Sequence, residues 1–128
     1  MSVKDYMSKD VVTVTPQTDI METVGLLVAR DVTALPVVDD QGNLVGIISE
    51  RDCLQMALQA SYYGEKGGKV GDFMSAGAET VHAEDSILDV AKLFVAKPYK
   101  RYPVLLDNKL VGIISRRDLM RALLRLWG

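Results

Sequence analysis

The first half of the chain opens with a short run of β-branched residues and continues with an amphipathic segment. Val11–Val14 predicts a strand, because Val and Thr are enriched in strands. The next apolar positions are Ile20, Val24, Leu27 and Val28. Their spacing of i, i+4, i+7 and i+8 places all four on one face of a helix. A strand followed by a helix is therefore predicted.

A pair of strands and a second helix are predicted next. Leu35–Val38 and Leu44–Ile48 are apolar runs, and the segment between them, Asp39–Asn43, is rich in residues that favour turns. The two runs therefore predict a β-hairpin, and a helix is expected from about Glu50. A parallel strand-helix-strand unit joined to an antiparallel hairpin forms a small mixed sheet.

The second half of the chain repeats the first. The segment Val3–Ser8 (VKDYMS) recurs as Val70–Ser75 (VGDFMS), and Leu44–Ser49 (LVGIIS) recurs unchanged as Leu110–Ser115. Asp107–Lys109 supplies the turn residues of the second hairpin, and a helix is again expected after the last strand. Matching segments in the same order and at nearly the same spacing indicate an internal duplication.

The duplication divides the chain into residues 1–59, a glycine-containing linker over 60–69, and residues 70–128. Each half has about the size at which a single hydrophobic core is marginal. We therefore expect the two sheets to pack on each other as one module. The expected fold class is α+β, a mixed α/β fold of two pseudo-symmetric β-α-β-β-α repeats.

Composition and charge are those of a soluble globular protein, with 48% hydrophobic and 25% charged residues. A net charge of −2 argues against a protein that mainly binds nucleic-acid phosphates, because such proteins are usually basic. One His and one Cys leave little for a metal centre or for nucleophilic catalysis, so we expect a binding protein and not an enzyme. No apolar run is long enough to span a membrane and the first residues do not form a secretory signal, so we expect a cytoplasmic protein with no membrane partner.

Two motifs of the repeat resemble a known family. Gly46–Asp52 (GIISERD) and Gly112–Asp118 (GIISRRD) resemble the closing motif of CBS domains, which are named after cystathionine β-synthase. Leu35–Val38 and Tyr102–Leu105, each followed by a turn and then by that motif, resemble the same family. The resemblance covers essentially the whole chain and implies a tandem CBS pair, often called a Bateman module.

The resemblance implies a regulatory function. CBS pairs typically bind an adenosyl ligand, here AMP, ADP or ATP, with S-adenosylmethionine as another possible ligand, and they need no catalytic cofactor. Ligand binding is expected to change the conformation of the module and to signal to a regulated partner protein. Many CBS pairs also form dimers, so a homodimer is expected.

The resemblance also implies which residues bind the ligand, in two clefts that combine residues of both repeats. The first cleft is expected to use Ser49, Arg51 and Asp52 with Val81, His82, Arg101, Tyr102 and Pro103. The second is expected to use Ser115, Arg117 and Asp118 with Val14, Thr15, Ala34, Leu35 and Pro36. Lys100 and Thr33 stand where the family often places residues that face the phosphate. Lys100 and Arg101 are basic whereas Thr33 and Ala34 are not, so we expect the two clefts to differ.

The Ser-x-x-Asp pattern of the closing motif has two interpretations, which are compatible for the serines. In the first, Ser49 and Asp52 cap the helix that follows, because a serine hydroxyl accepts from backbone N–H groups and an acidic side chain is stabilised at a helix N-terminus. In the second, the serine binds a phosphate and the carboxylate accepts both ribose hydroxyls. Asp52 and Asp118 are then ribose ligands.

Two other functions stay open at this point. One is a ligand-free dimeric interaction module, for which the last helix offers an apolar stripe of Leu119, Met120, Leu123, Leu124 and Trp127. The other is a nucleic-acid-binding adaptor that uses Arg116, Arg117, Arg121 and Arg125. The acidic balance and the lack of interleaved aromatic and basic residues argue against nucleic acid as a partner.

Overall fold

The structure, a computed structural model, describes residues 1–63 and 67–128. Its helices are α1 (Ile20–Arg30), α2 (Glu50–Tyr63), α3 (Val70–Phe73), α4 (Ile87–Ala96) and α5 (Arg116–Trp127). Its strands are β1 (Ala34–Val38), β2 (Leu44–Ser49), β3 (Val81–His82), β4 (Arg101–Leu106) and β5 (Lys109–Ser115). The helix α2 continues into the predicted linker as far as Tyr63, and residues 64–66 of that linker lie outside the described residues.

The second half of the chain contains the predicted mixed sheet. The strands lie in the order β3-β4-β5, with β3 parallel to β4 and β4 antiparallel to β5. The hairpin turn consists of Asp107 and Asn108, whose φ angles are 50° and 66°. Two successive residues with positive φ form the turn that best matches the twist of antiparallel strands, and Asp and Asn tolerate that conformation. The predicted hairpin is thus confirmed.

The first half contains the predicted hairpin but not the predicted first strand. The strands β1 and β2 pair antiparallel. Of the predicted strand Val11–Val14, only Val14 pairs, through an isolated parallel bridge to Val37. The chain turns away directly afterwards, because the N–H of Thr15 donates to Oγ1 of Thr18 at 2.9 Å. The turn ends the pairing after Val14, and Val11, Val12 and Thr13 before it form no strand pairing in the described structure, so the prediction of a full strand was wrong.

The helix α1 begins where its cap predicts and buries a slightly different face from the one expected. The carboxylate of Asp19 accepts from the N–H of Glu22, which caps the first turn. Ile20 and Leu27 are buried, as predicted, but Val28 is 76% exposed. Thr23 is fully buried instead, so the buried face lies on the Thr23 side of Ile20 and leaves Val28 outside it.

The described chain forms two compact units. The discontinuous unit comprises Met1–Val11 and Glu79–Gly128, and the continuous unit comprises Val12–Ala78. Val3 is fully buried in the core of the discontinuous unit, and Val70 is fully buried in the core of the continuous unit. The opening segment of each sequence repeat therefore packs in a unit that consists mainly of the other repeat.

A glycine in the last strand of each hairpin allows this packing. The N–H of Ser8 donates to the carbonyl of Ile113 at 2.8 Å, and the N–H of Ile113 donates back to the carbonyl of Ser8 at 3.0 Å. A Cβ atom on Gly112 would lie 2.8 Å from the carbonyl oxygen of Ser8. A Cβ atom on Gly46 would lie 2.7 Å from the carbonyl oxygen of Ser75. Each opening segment therefore crosses its hairpin at a distance that only glycine permits.

Candidate functional site

The start of α2 carries the first Ser-x-x-Asp motif in a reciprocal capping arrangement. Oδ2 of Asp52 accepts from the N–H and from the Oγ of Ser49, both at 2.9 Å. The N–H of Asp52 donates to Oγ of Ser49 at 3.2 Å. The capping interpretation of this motif is thus confirmed. Asp52 is only 8% exposed, so its carboxylate is held in one orientation.

The start of α5 repeats this arrangement with one addition. Oδ2 of Asp118 accepts from the N–H of Ser115 at 2.8 Å and from its Oγ at 3.0 Å. The N–H of Asp118 donates to Oγ of Ser115 at 3.3 Å. The guanidinium of Arg121 also donates to Oδ1 of Asp118 and forms an ion pair with it. The residue in the place of Arg121 in the first copy is Gln55, which carries no charge.

The first residue of each strand that carries the proline, two positions before that proline, lies opposite the capping serine of its own unit. In the β1–β2 register Ala34 pairs with Ser49, and in the β4–β5 register Arg101 pairs with Ser115. The N–H of Glu50 donates to the carbonyl of Thr33 at 2.9 Å, which ties the strand entry to the start of α2. The structure therefore brings the strand entry and the helix N-terminus of the same unit together. The grouping of these residues with those of the other repeat stays a prediction.

The two strand entries differ sharply in charge. In the discontinuous unit, exposed cationic side chains stand on both sides of Ser115: Lys100, Arg101, Arg116 and Arg117. The equivalent positions beside Ser49 are Thr33, Ala34, Glu50 and Arg51, whose charges cancel. The basic side chains responsible for the predicted asymmetry therefore lie together at the start of α5. An anion there would be stabilised by the cations and by the helix dipole.

Several predicted site residues are core residues. The side chains of Val14, Leu35, Pro36, Val81, Tyr102 and Pro103 are buried. The Tyr102 ring packs edge-on against Phe94, with ring centroids 4.9 Å apart. Its hydroxyl has no hydrogen-bond partner within the described residues, and burial raises the pKa of Tyr102.

His82 and Thr15 occupy equivalent positions and have different surroundings. The exposed imidazole of His82 accepts at Nδ1 from the N–H of Glu84 at 3.1 Å, and the N–H of His82 donates to the Asp85 carboxylate at 2.9 Å. The hydroxyl of Thr15 lies 3.3 Å from that of Thr18.

An open cavity of about 500 Å³ adjoins His82 in the discontinuous unit. It is lined by Thr80, Val81, His82, Asp85, Leu105, Asp107 and Asn108. Sequence reasoning identified Val81 and His82 but missed Asp85, Asp107 and Asn108. The only signal for two of these was their turn chemistry, which points to a hairpin and not to a site.

Over residues 1–63 and 67–128, no three His, Cys, Asp or Glu side chains group closely enough to hold a metal ion. None of the described helices is both long enough and apolar enough to cross a membrane.

The chain is similar in sequence to known CBS domain proteins. The sequence model of the CBS domain family matches residues 3–58 and 70–125. The chain is 31% identical to the chloroplastic CBS domain-containing protein CBSX1 of Arabidopsis thaliana, over 98% of this chain and 65% of that protein. It is 35% identical to the CBS domain-containing protein YhcV of Bacillus subtilis, over 92% of this chain and 82% of that protein. The chain thus spans just under two thirds of the length of CBSX1.

Solved structures give the same result. A crystal structure of CBSX2 in complex with AMP matches with a TM-score of 0.84 and 34% identity, over 99% of this chain and 98% of that chain. The CBS domain pair of protein MJ0100, crystallised with 5′-methylthioadenosine and S-adenosyl-L-methionine, matches with a TM-score of 0.74 and 28% identity, over 98% of each chain. The predicted fold class, a mixed α and β fold of the CBS-pair type, is confirmed.

Proposed function

The chain belongs to the CBS domain family, and we propose that its two CBS domains, matched at residues 3–58 and 70–125, form a regulatory module that binds an adenine nucleotide. The observation that carries the proposal is the match, over nearly the whole chain, to a CBS pair crystallised with AMP. The second matched structure was crystallised with two other adenosyl compounds, so the adenosine part of the ligand is the common element.

The chemistry of the Ser-x-x-Asp motif supports recognition of the ribose. A ribose presents two neighbouring hydroxyl donors, and a fixed carboxylate is a strong acceptor for both. Asp52 and Asp118 are buried and are oriented by their hydrogen bonds to Ser49 and Ser115. Ligand binding therefore costs little further side-chain conformational entropy at these carboxylates. We assign these two carboxylates to the ribose.

The charge of the discontinuous unit supports recognition of a phosphate. Lys100 and Arg101 lie beside the start of α5, where Ser115 and Arg117 add a hydroxyl and a further cation. Cations attract a polyphosphate and repel the positive sulfonium of S-adenosylmethionine. The proposed ligands are therefore AMP, ADP or ATP ahead of S-adenosylmethionine.

The proposed mechanism is a shift between conformations. A ligand that binds one conformation more tightly increases the population of that conformation, and a partner protein then responds to it. Catalysis forms no part of the proposal. The family resemblance pairs Lys100 and Arg101 with Asp52, whereas in the structure Arg101 lies opposite Ser115. Which Ser-x-x-Asp motif shares a ligand with these cations stays a prediction.

We also propose a homodimer, because α5 carries large apolar side chains that its own unit does not cover. Leu119 is buried, whereas Leu124 and Trp127 are 71% and 73% exposed. The predicted apolar stripe is thus divided between the core and the surface. A second copy of the chain would bury the exposed part, and a ligand-free dimeric interaction module is the second candidate function for this reason.

Calorimetric titration of AMP and ATP into the wild-type chain and into Asp52→Ala and Asp118→Ala tests the nucleotide proposal. Losing two charge-assisted hydrogen bonds costs about 2–4 kcal/mol of binding free energy. In each variant, the nucleotide affinity of the site that contained the replaced aspartate should therefore fall roughly 30- to 1000-fold. Asp40→Ala removes an exposed carboxylate from the β1–β2 turn and serves as the matched control.

Two results would count against the proposal in different ways. Equal affinities in the wild type and in both variants, with only the stability loss of about 1 kcal/mol that a missing cap causes, would leave capping as the whole role of the motif. No binding of AMP, ADP, ATP or S-adenosylmethionine to the wild type, with an RNA oligomer as a reference ligand, would refute the nucleotide-binding function itself.

A further inference from the structure

The two capping carboxylates differ in how many of their acceptor positions are already used. Both hydrogen bonds that Ser49 gives to the Asp52 carboxylate end on Oδ2. Among the residues that the structure describes, Oδ1 of Asp52 has no hydrogen-bond partner. In Asp118, Oδ2 accepts the same two bonds from Ser115, and Oδ1 accepts a third from Arg121.

This difference decides how well each carboxylate can accept a vicinal diol. An ionised carboxylate has about four acceptor positions, two on each oxygen. Asp52 therefore keeps both positions of Oδ1 and can accept two hydroxyl donors without any rearrangement. Asp118 keeps one, so a diol can make its second hydrogen bond only if Arg121 moves away.

The position of Arg121 on the helix explains both the contact and its weakness. Residues 118 and 121 are separated by one turn of α5, which brings side chains together at this spacing. The Arg121 side chain is 59% exposed, whereas that of Asp118 is 7% exposed. Arg121 can therefore move into solvent at small cost, and the guanidinium competes with a ligand for Oδ1 without closing the position permanently.

We propose that Arg121 is a specificity-determining residue that makes the two CBS domains unequal toward the ribose diol of an adenine nucleotide. Asp52 is the stronger diol acceptor, and Asp118 is a weaker acceptor for which the nucleotide competes with Arg121. The proposal rests on the proposed function, because it assumes that both carboxylates face a nucleotide.

Exchanging residues 55 and 121 tests the proposal, because both side chains are exposed and their replacement leaves the cores intact. The Asp52→Ala background isolates binding at Asp118, and Arg121→Gln is introduced into it. We expect AMP affinity to rise about 2- to 10-fold, which is the range set by an exposed ion pair and one hydrogen bond. In the Asp118→Ala background, Gln55→Arg is expected to lower AMP affinity by a similar factor.

Two controls separate this effect from a general change of charge. Arg125→Gln removes the same charge from an exposed position one turn further along α5 and should leave the affinity unchanged. The 2′,3′-dideoxy analogue of AMP lacks the diol, so its affinity should not respond to Arg121→Gln.

The outcomes distinguish this inference from the proposed function. A wild-type chain that binds no adenosyl ligand refutes the proposed function and this inference with it. A chain that binds AMP normally, but whose affinity is the same with and without Arg121→Gln in the Asp52→Ala background, refutes the role of Arg121 alone. An equal gain for AMP and for its dideoxy analogue would also refute it, because the effect would then not involve the diol.

Discussion

Replacing Gly112 by alanine should destabilise the protein strongly, because the chain crosses β5 at that residue. A Cβ atom at position 112 would lie 2.6 Å from Sδ of Met7 and 2.8 Å from the carbonyl oxygen of Ser8. Carbon atoms in comfortable contact with their neighbours are about 3.5–4.0 Å away. The Met7 side chain is flexible and can move, but the Ser8 carbonyl is backbone and is held by its hydrogen bond to Ile113.

The loss in free energy of unfolding depends on how far the Ser8 backbone must move to make room for the added methyl group. Overpacking of this kind costs about 1–3 kcal/mol. Moving Ser8 away also strains or breaks its two hydrogen bonds to Ile113, each worth about 1 kcal/mol net. Replacing glycine restricts the unfolded chain and returns about 0.4–1 kcal/mol. The free energy of unfolding of Gly112→Ala should therefore fall by about 2–5 kcal/mol.

Urea unfolding of the wild type and of matched alanine variants measures this loss. Gly25→Ala is the control, because a Cβ atom at this position within α1 meets nothing within 4 Å. That substitution should raise the free energy of unfolding by about 0.5–1 kcal/mol, as expected for an exposed helix position. Adding Met7→Ala to Gly112→Ala should restore little, since the Ser8 carbonyl stays in place. A Gly112→Ala variant within about 0.5 kcal/mol of the wild type would refute the reasoning.

The remaining predictions concern the opening segment and the surface of α5. Val3→Ala should lower the free energy of unfolding in urea by about 2 kcal/mol, because Val3 is fully buried, whereas Met21→Ala at an exposed position should change it by less than about 0.5 kcal/mol. Equal effects would show that Val3 is not a core residue in solution. Leu124→Glu combined with Trp127→Glu should convert a dimer to a monomer in sedimentation velocity while the circular dichroism spectrum is retained, and an unchanged mass would exclude this surface from the dimer interface.

The hairpins and the helix starts could be predicted from the sequence because their signals are local. The Asp107–Asn108 turn tolerates the positive φ angles that a tight hairpin requires, and these residues stand next to each other in the sequence. The Ser115–Asp118 cap likewise depends on two residues one helical turn apart. The relevant interactions are contained within a few residues, so residue type and spacing suffice to predict them.

The packing of the opening segments could not be predicted in this way. Val3 and Val70 begin nearly identical segments, so no residue pattern tells which unit each of them joins. The choice depends on contacts between residues far apart in the sequence, such as those of Ser8 with Ile113. The sequence leaves the Tyr102 ring open between packing and a ligand site, although packing is the more usual role of an aromatic residue beside a strand. Its partner Phe94 lies on α4, so only the tertiary structure shows that the ring is packed.

The duplicated chain keeps its caps and changes the charges around them, and physical constraints explain this difference. Asp52 and Asp118 are buried, and with the half-buried Ser49 and Ser115 they hold the starts of two helices. A change at any of these residues therefore costs stability. The neighbouring positions are exposed apart from the half-buried Ala34, and substitutions at exposed positions usually alter stability by less than about 0.5 kcal/mol. Three pairs of equivalent positions differ in charge between the repeats: Thr33 and Lys100, Ala34 and Arg101, and Gln55 and Arg121. On the proposed function, the ligand preference of each domain could therefore change at little cost to the fold, and two repeats with the same caps could carry unequal sites.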